Sequence, residues 1–157
     1  MQQVCTRLRR NRGAALVIDY GAESVSTDTL RGILNHRAVH PLHAPGHVDL
    51  STDVDFGALR ETATDEATRE DGVGVGLRCP DLVCQRDFLA AMGLEARVNA
   101  LLRLTDDKED RKELIQAAGR LVASPGMGTA YKVFAVASED VGEEGVVGFG
   151  PAGRLEK

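Results

Sequence analysis

Four carboxylates, Asp19, Asp49, Asp53 and Asp55, are the side chains whose types and spacing best suit chemistry. A carboxylate can take up a proton, pair with a cation, or hold a planar donor through two parallel hydrogen bonds. Asp19 has the most telling setting. An apolar run at residues 14–18 (Ala-Ala-Leu-Val-Ile) stops at Asp19-Tyr20-Gly21. A short run of this kind predicts a strand buried on both faces, as in parallel sheets. Ligands of open α/β sheets sit beyond the carboxyl ends of such strands, so a carboxylate there is placed for chemistry rather than packing. Asp53 and Asp55 stand at the start of a helical segment, where capping and dipole compensation account for one of them.

The elements that must position these residues alternate along the chain. Residues 4–10 predict about two helical turns, stopped at Asn11-Arg12-Gly13. The strand at 14–18 follows. Residues 27–34 are ambiguous, with Leu30, Ile33 and Leu34 suiting a helix in a segment that is short for one, and residues 36–49, with two prolines and a glycine, predict a loop. Ser51 or Thr52 is expected to cap a helix whose apolar positions are Val54, Phe56, Leu59 and Ala63. A polar surface loop at 64–71 leads to a second strand through Val73, Val75 and Leu77. Helices are predicted over 81–92, over 94–104, and from Asp106 or Asp107 to Val122. A third strand spans 131–137, and a flexible Gly- and Glu-rich tail runs over 138–157. Strand, helices, strand, helices, strand is the order of an α/β protein, with residues 1–137 as its folded portion.

Several apparent motifs dissolve on inspection. His36, His40, His43 and His47 recur at helical spacing, but Pro41, Pro45 and Gly46 forbid a continuous helix through them. No metal site is assigned to them, and a histidine-based metal hydrolase is the weakest reading. Residues 148–153 match G-x-G-x-x-G literally, yet Pro151 interrupts them and no helix follows to hold a pyrophosphate. Cys5, Cys79 and Cys84 form no C-x-x-C pair, which argues against a disulfide framework or a thiolate zinc site and favours a reducing compartment. A net charge of −5 and only six aromatic rings oppose a nucleic-acid footprint. No apolar stretch is long enough to span a membrane. Arg7, Arg9, Arg10 and Arg12 give the start of the chain the charge of a mitochondrial presequence, but the segment reads better as a basic surface helix than as a convincing targeting segment.

Taken together, residues 13–21 (Gly-Ala-Ala-Leu-Val-Ile-Asp-Tyr-Gly), residues 27–32 (Thr-Asp-Thr-Leu-Arg-Gly), His36, Ala44-Pro45-Gly46 and residues 49–56 (Asp-Leu-Ser-Thr-Asp-Val-Asp-Phe) resemble the MidA-like methyltransferases. Gln85, Phe88-Leu89, Met92-Gly93-Leu94, Met127-Gly128 and residues 131–135 extend the resemblance to nearly everything between Gly13 and Ala137. It implies S-adenosylmethionine as cofactor, and a partial seven-stranded, Rossmann-like sheet of which this chain supplies strands 5, 6 and 7 with their helices. It also implies protein arginine methylation of a respiratory complex I subunit in the mitochondrial matrix, in support of complex I assembly. The Gly-rich loop and the acidic residue that hold the cofactor in this family would lie upstream, so the cofactor site is expected mostly outside this chain, which alone is expected to be inactive. Without strand 4, one edge of residues 14–18 is left unpaired, which predicts self-association. Residues 64–71 resemble a local insertion, and His40 stands where relatives often carry an acidic residue.

Arginine methylation needs a group that orients the guanidinium and accepts its proton, because a guanidinium stays protonated below about pH 12 and is then a poor nucleophile. Asp19 is the candidate catalytic residue. Tyr20, Gly21, His36, Asp49, Asp53 and Asp55 are the candidates for binding the substrate. The competing reading is a non-catalytic remnant or partner-binding module that keeps the protein-binding surface without the chemistry.

Overall fold

A computed structural model describes residues 1–25, 28–67, 74–141 and 145–149. Helix α1 (Gln2–Asn11) ends where Arg12 turns to a φ of 63° and its N–H returns to the Leu8 carbonyl at 2.8 Å. Arg9 and Arg10 in the last turn suit the negative end of the helix. Strand β1 (Ala14–Ala22) follows at once and pairs antiparallel with the last strand, β8 (Tyr131–Ser138), from Ala14↔Ala137 to Tyr20↔Tyr131. Both strands are longer than the apolar runs that predict them, because a paired neighbour satisfies backbone groups whatever the side chain.

The strand period of two sorts the side chains onto two faces. Val17 stands opposite Phe134 and Ala15 opposite Val136 on one face. There they meet Cys5 and Leu8 of α1, Phe56 and Ala63 of helix α2 (Phe56–Ala67), and Leu77. This is the main core, with Phe56 and Phe134 fully buried. On the other face, Val133 and Ala135 of β8 are covered by Val83, Phe88, Val146 and Phe149. Leu16 and Ile18, beside them on β1, stay 49% and 50% exposed. The expectation of a strand buried on both faces is therefore corrected: α1 and α2 lie on the same face, and the cover of the opposite face reaches only β8.

Two short strands, β6 (Leu77–Arg78) and β7 (Val83–Cys84), both pair antiparallel with β8. Of the second predicted strand only Leu77 lies in β6, Val75 stands outside it and Val73 lies outside the described residues, while Val83 belongs to a strand rather than to the helix expected over 81–92. Helices α3 (Gln85–Ala91), α4 (Leu94–Leu104) and α5 (Lys108–Val122) follow, with Gly93 at a φ of 77° between the first two. The Asp107 carboxylate accepts the N–H groups of Glu109 and Asp110, the expected cap of α5. Helix α6 (Met127–Ala130) leads into β8.

Between β1 and α2 the chain departs from the ambiguous segment expected over 27–34 and the loop expected over 36–49. Strands β2 (Arg31–Leu34), β3 (Arg37–Val39) and β4 (Asp49–Ser51) form a separate antiparallel sheet in the order β3-β2-β4. Asn35 and His36, with φ of 50° and 61°, make the two-residue turn between β2 and β3, the positive-φ geometry that matches strand twist. Val54 and Asp55, expected in a helix, form strand β5 (Val54–Asp55), parallel to β1 at Gly21↔Val54 and Ala22↔Asp55. The main sheet thus runs β5-β1-β8-β6, with parallel and antiparallel pairs and helices packed on it, and the α/β class holds. The expected tail lies partly outside the described residues; within them Phe149 is buried, its ring 5.7 Å from that of Phe88.

Candidate functional site

The carboxyl end of β1 meets the root of the small sheet, and a polar cluster forms there. The Tyr20 hydroxyl lies 2.6 Å from Ser51 Oγ at the end of β4. The Tyr20 ring packs edge-on against Tyr131 at 5.6 Å, its neighbour across the β1–β8 pair. The Arg31 guanidinium stacks over the Tyr20 ring, 5.1 Å from its centroid, and its Nη2 donates to Asp53 Oδ1 at 2.8 Å. Nη1 donates to the Thr29 carbonyl at 3.3 Å. Thr29 Oγ1 in turn accepts the Asp53 N–H at 3.1 Å and lies 2.9 Å from Thr52 Oγ1. The Asp53 carboxylate raises the pKa of Arg31 above its usual value, first through their hydrogen bond, so the guanidinium is held as a cation.

The expected site residues divide across this arrangement. Tyr20 and Asp53 belong to the cluster. Asp19 adjoins it, with Oδ1 accepting the Tyr20 N–H at 2.8 Å. Gly21 serves the backbone: a Cβ there would overlap the Val54 carbonyl oxygen and stand 2.9 Å from Val54 N and C. Only glycine lets β1 and β5 approach so closely. Asp55 Oδ1 accepts the Ala58 N–H at 3.0 Å and so caps α2, the capping role expected of one of Asp53 and Asp55 and, as the first cap, of Ser51 or Thr52. Asp49 pairs with Ile33, two residues beyond Ser51, about 7 Å farther from Tyr20 along the strand. His36 is at the hairpin tip, five residues beyond Arg31, a path of about 16 Å. The geometry of the small sheet thus keeps these two apart from Tyr20 and Asp53.

Arg31, Ser51 and Thr29 are the members that sequence reasoning does not single out. Arg31 and Asp53 are 22 residues apart, and Tyr20 and Ser51 are 31 apart, so no local spacing joins them. The Asn35-His36 turn joins β2 only to β3, whereas Arg31 comes beside Ser51 because β4 pairs with the other edge of β2. A second ion pair secures the other side of the junction. Arg60 Nε donates to Glu23 Oε1 at 2.7 Å, while its guanidinium lies over Phe134 and donates to the Pro80 carbonyl. Burial works against the Arg60 charge, yet Glu23 leaves its pKa raised.

Away from this junction, an apolar cleft of about 350 Å³ opens between α3, α4 and α5, lined by Ala90, Leu94, Val98, Ala118 and Val122. The described histidines do not join Cys, Asp or Glu in any group of three or more that could hold a metal ion. No described helix is long and apolar enough to cross a membrane.

Comparison with known proteins gives a consistent result. Residues 1–73 match the sequence model of a family described as "Putative S-adenosyl-L-methionine-dependent methyltransferase". The chain is 35% identical over 136 residues to the mitochondrial protein arginine methyltransferase NDUFAF7 of Danio rerio, and 33% identical over 136 residues to that of Homo sapiens. Those alignments cover 87% of this chain and 30% and 29% of the two relatives, so the chain spans less than a third of their length. A COG1565 superfamily protein from Burkholderia thailandensis superimposes with a TM-score of 0.75 at 26% identity, covering 98% of this chain and 39% of that one. A COG1565 structure from the same organism, bound to S-adenosyl-homocysteine, gives 0.73 at 25% identity and covers 38% of its own chain. Similar to these proteins in sequence and in overall fold, the chain belongs to the MidA-like family of S-adenosylmethionine-dependent methyltransferases.

Proposed function

We propose that this chain is the substrate-side portion of a protein arginine methyltransferase. The observation that carries this reading is its 33–35% identity, over 136 residues, to relatives named as such. The acceptor is a subunit of respiratory complex I, methylated in the mitochondrial matrix to support assembly of the complex; the relatives' mitochondrial names support the compartment. Asp19 is the candidate proton acceptor at the end of β1. Tyr20, Gly21, Asp53 and Asp55 line the inner part of the substrate surface, with Asp49 and His36 along the outer hairpin. A carboxylate beside a guanidinium fixes its plane, localises its charge on one nitrogen, and can take the proton lost on methylation.

We further infer that most of the S-adenosylmethionine site lies outside these residues. In support, the closest glycine approaches are already filled by this chain's own backbone: Gly21 by Val54, Gly57 by Glu23, Gly74 by Arg9 and Gly128 by Val122. None of them offers a cofactor the open cradle that a Gly-rich phosphate or nucleoside loop provides.

The test is a graft. This chain replaces the corresponding portion of the zebrafish relative, and transfer of labelled methyl groups to arginine is read by mass spectrometry of the acceptor. Methylarginine formation, lost with Asp19→Asn, is the expected result. A folded graft that binds S-adenosylmethionine but forms no methylarginine would favour the non-catalytic, partner-binding reading. Micromolar binding of S-adenosylmethionine by this chain alone would overturn the placement of the cofactor site.

A further inference from the structure

The junction cluster has the composition of a receptor for a planar cation. A guanidinium is matched by a carboxylate in its plane, an aromatic face above it and a carbonyl at its edge. Asp53, Tyr20 and the Thr29 carbonyl present these three groups together, and the cation among them is the chain's own Arg31. We propose that Tyr20, Asp53 and the Thr29 carbonyl form a guanidinium-recognition cradle, in which Arg31 is a resident occupant that an incoming arginine side chain displaces.

Three observations carry this. First, the walls are positioned without help from Arg31. The Tyr20 hydroxyl is held by Ser51 and its ring by Tyr131, while the Asp53 main chain is held by Thr29, itself beside Thr52. Vacating the cradle therefore leaves its shape in place. Second, Arg31 meets Asp53 through one hydrogen bond, Nη2 to Oδ1, whereas a carboxylate can receive two from a single guanidinium. The resident does not use the full capacity of the site. Third, the pair is open to solvent, with side-chain exposures of 40% for Arg31 and 33% for Asp53. Exposed pairs of this kind are weak and exchange readily. Arg31 extends from the root of β2, so its release would free the cradle without unpairing the small sheet.

Recognition of a guanidinium stands on this geometry alone; that the visitor is a substrate arginine rests on the proposed function. The test uses the full chain and N-methylguanidine as probe, with methylammonium as control, followed by NMR at the Tyr20 ring and the Asp53 amide. In Arg31→Ala the probe is expected to bind saturably, at least about tenfold tighter than to the unaltered chain, where Arg31 competes for the same groups. Arg31→Ala combined with Asp53→Asn is expected to lose that binding, and methylammonium is expected to give none. In the unaltered chain, the probe should shift the Arg31 Nε–H resonance, a reading that needs no variant to fold. Equal probe affinity with and without Arg31, indifference to Asp53→Asn, equal binding of methylammonium, or an unmoved Arg31 resonance would each overturn the proposal. None of these readings involves methyl transfer. A graft that methylates arginine while the cradle ignores the probe sinks the cradle alone, and the converse outcome sinks only the proposed activity.

Discussion

Gly21→Ala tests how the junction is built. The substitution adds one methyl group where β1 and β5 run closest, over the Val54 carbonyl oxygen and 2.9 Å from Val54 N and C. Carbon contacts are comfortable at about 3.5–4.0 Å, so the strands must move apart. The Gly21↔Val54 and Ala22↔Asp55 pairing is then lost, and with it the support for residues 51–53. About two ladder hydrogen bonds at roughly 1 kcal/mol each, and a similar amount for the Tyr20–Ser51 contact, give a cost of about 2–4 kcal/mol. That is a large share of the roughly 5–15 kcal/mol that stabilises a domain, and it corresponds to a fall in Tm of about 5–15 °C. Denaturant unfolding measures the cost, and the Tyr20 ring resonances report whether the junction opens. Gly119→Ala is the control. Its Cβ meets nothing within 4 Å and it lies inside α5, so it should gain about 0.5–1 kcal/mol from helix propensity. If Gly21→Ala unfolds within about 0.5 kcal/mol of the parent with unchanged Tyr20 resonances, the close approach of β1 and β5 does not organise the junction.

Four other outcomes follow from the same structure. Phe134→Ala, at a fully buried ring against Phe56, should cost about 3–5 kcal/mol in denaturant unfolding; a loss below about 1 kcal/mol would mean the core lies elsewhere. Asp55→Ala should cost about 1 kcal/mol by removing the cap of α2, whereas Asp55→Asn should keep most of it, so an activity lost in both the graft's Asn and Ala variants would assign Asp55 to chemistry. Burial pushes the Cys79 thiol up to about 11, so its alkylation at pH 8 should be about tenfold slower than that of a free thiol. The same shift has a sign in stability: the folded state keeps a proton that the unfolded thiol loses near its ordinary value of 9.0, so this contribution is complete below pH 9 and is lost as pH rises towards 11. Finally, exposed Leu16 and Ile18 lie on a strand whose outer edge, among the described residues, is paired only at Gly21 and Ala22, so the chain should self-associate in sedimentation and Ile18→Lys should reduce it; a parent that sediments as a monomer contradicts this.

The sequence was legible where structure is local. Helix α4 has the bounds its periodicity predicts, and α5 opens at Asp107 because one carboxylate reaches two N–H groups within three residues. The last strand is recognisable because Val133 to Ala137 form a continuous apolar run, as suits a strand central in the sheet. The small sheet was missed because its strands are three or four residues long and rich in prolines and histidines nearby, and because its turn uses Asn35-His36 rather than a glycine. The opening of α2 was misread for a related reason. Phe56, Leu59 and Ala63 recur at helical spacing and draw the preceding Val54 into the same predicted helix, but pairing with Gly21 and Ala22 holds Val54 and Asp55 extended. Tertiary hydrogen bonding overrides local preference at such ends.

By itself, then, the sequence determined an α/β chain, most of its helices, its membership of a methyltransferase family, and the interest of the carboxyl end of β1. All of these rest on residue type and short-range spacing, which a chain carries before it folds. Only the tertiary structure decided which carboxylates act together. It placed Asp49 and His36 away from the cluster along the small sheet, and left one face of β1 exposed. It also brought Arg31 into the cluster with Tyr20 and Asp53. Those outcomes depend on contacts between residues 22 and 31 positions apart, created when β4 folds back beside β2 and β5 beside β1, and no local pattern encodes them.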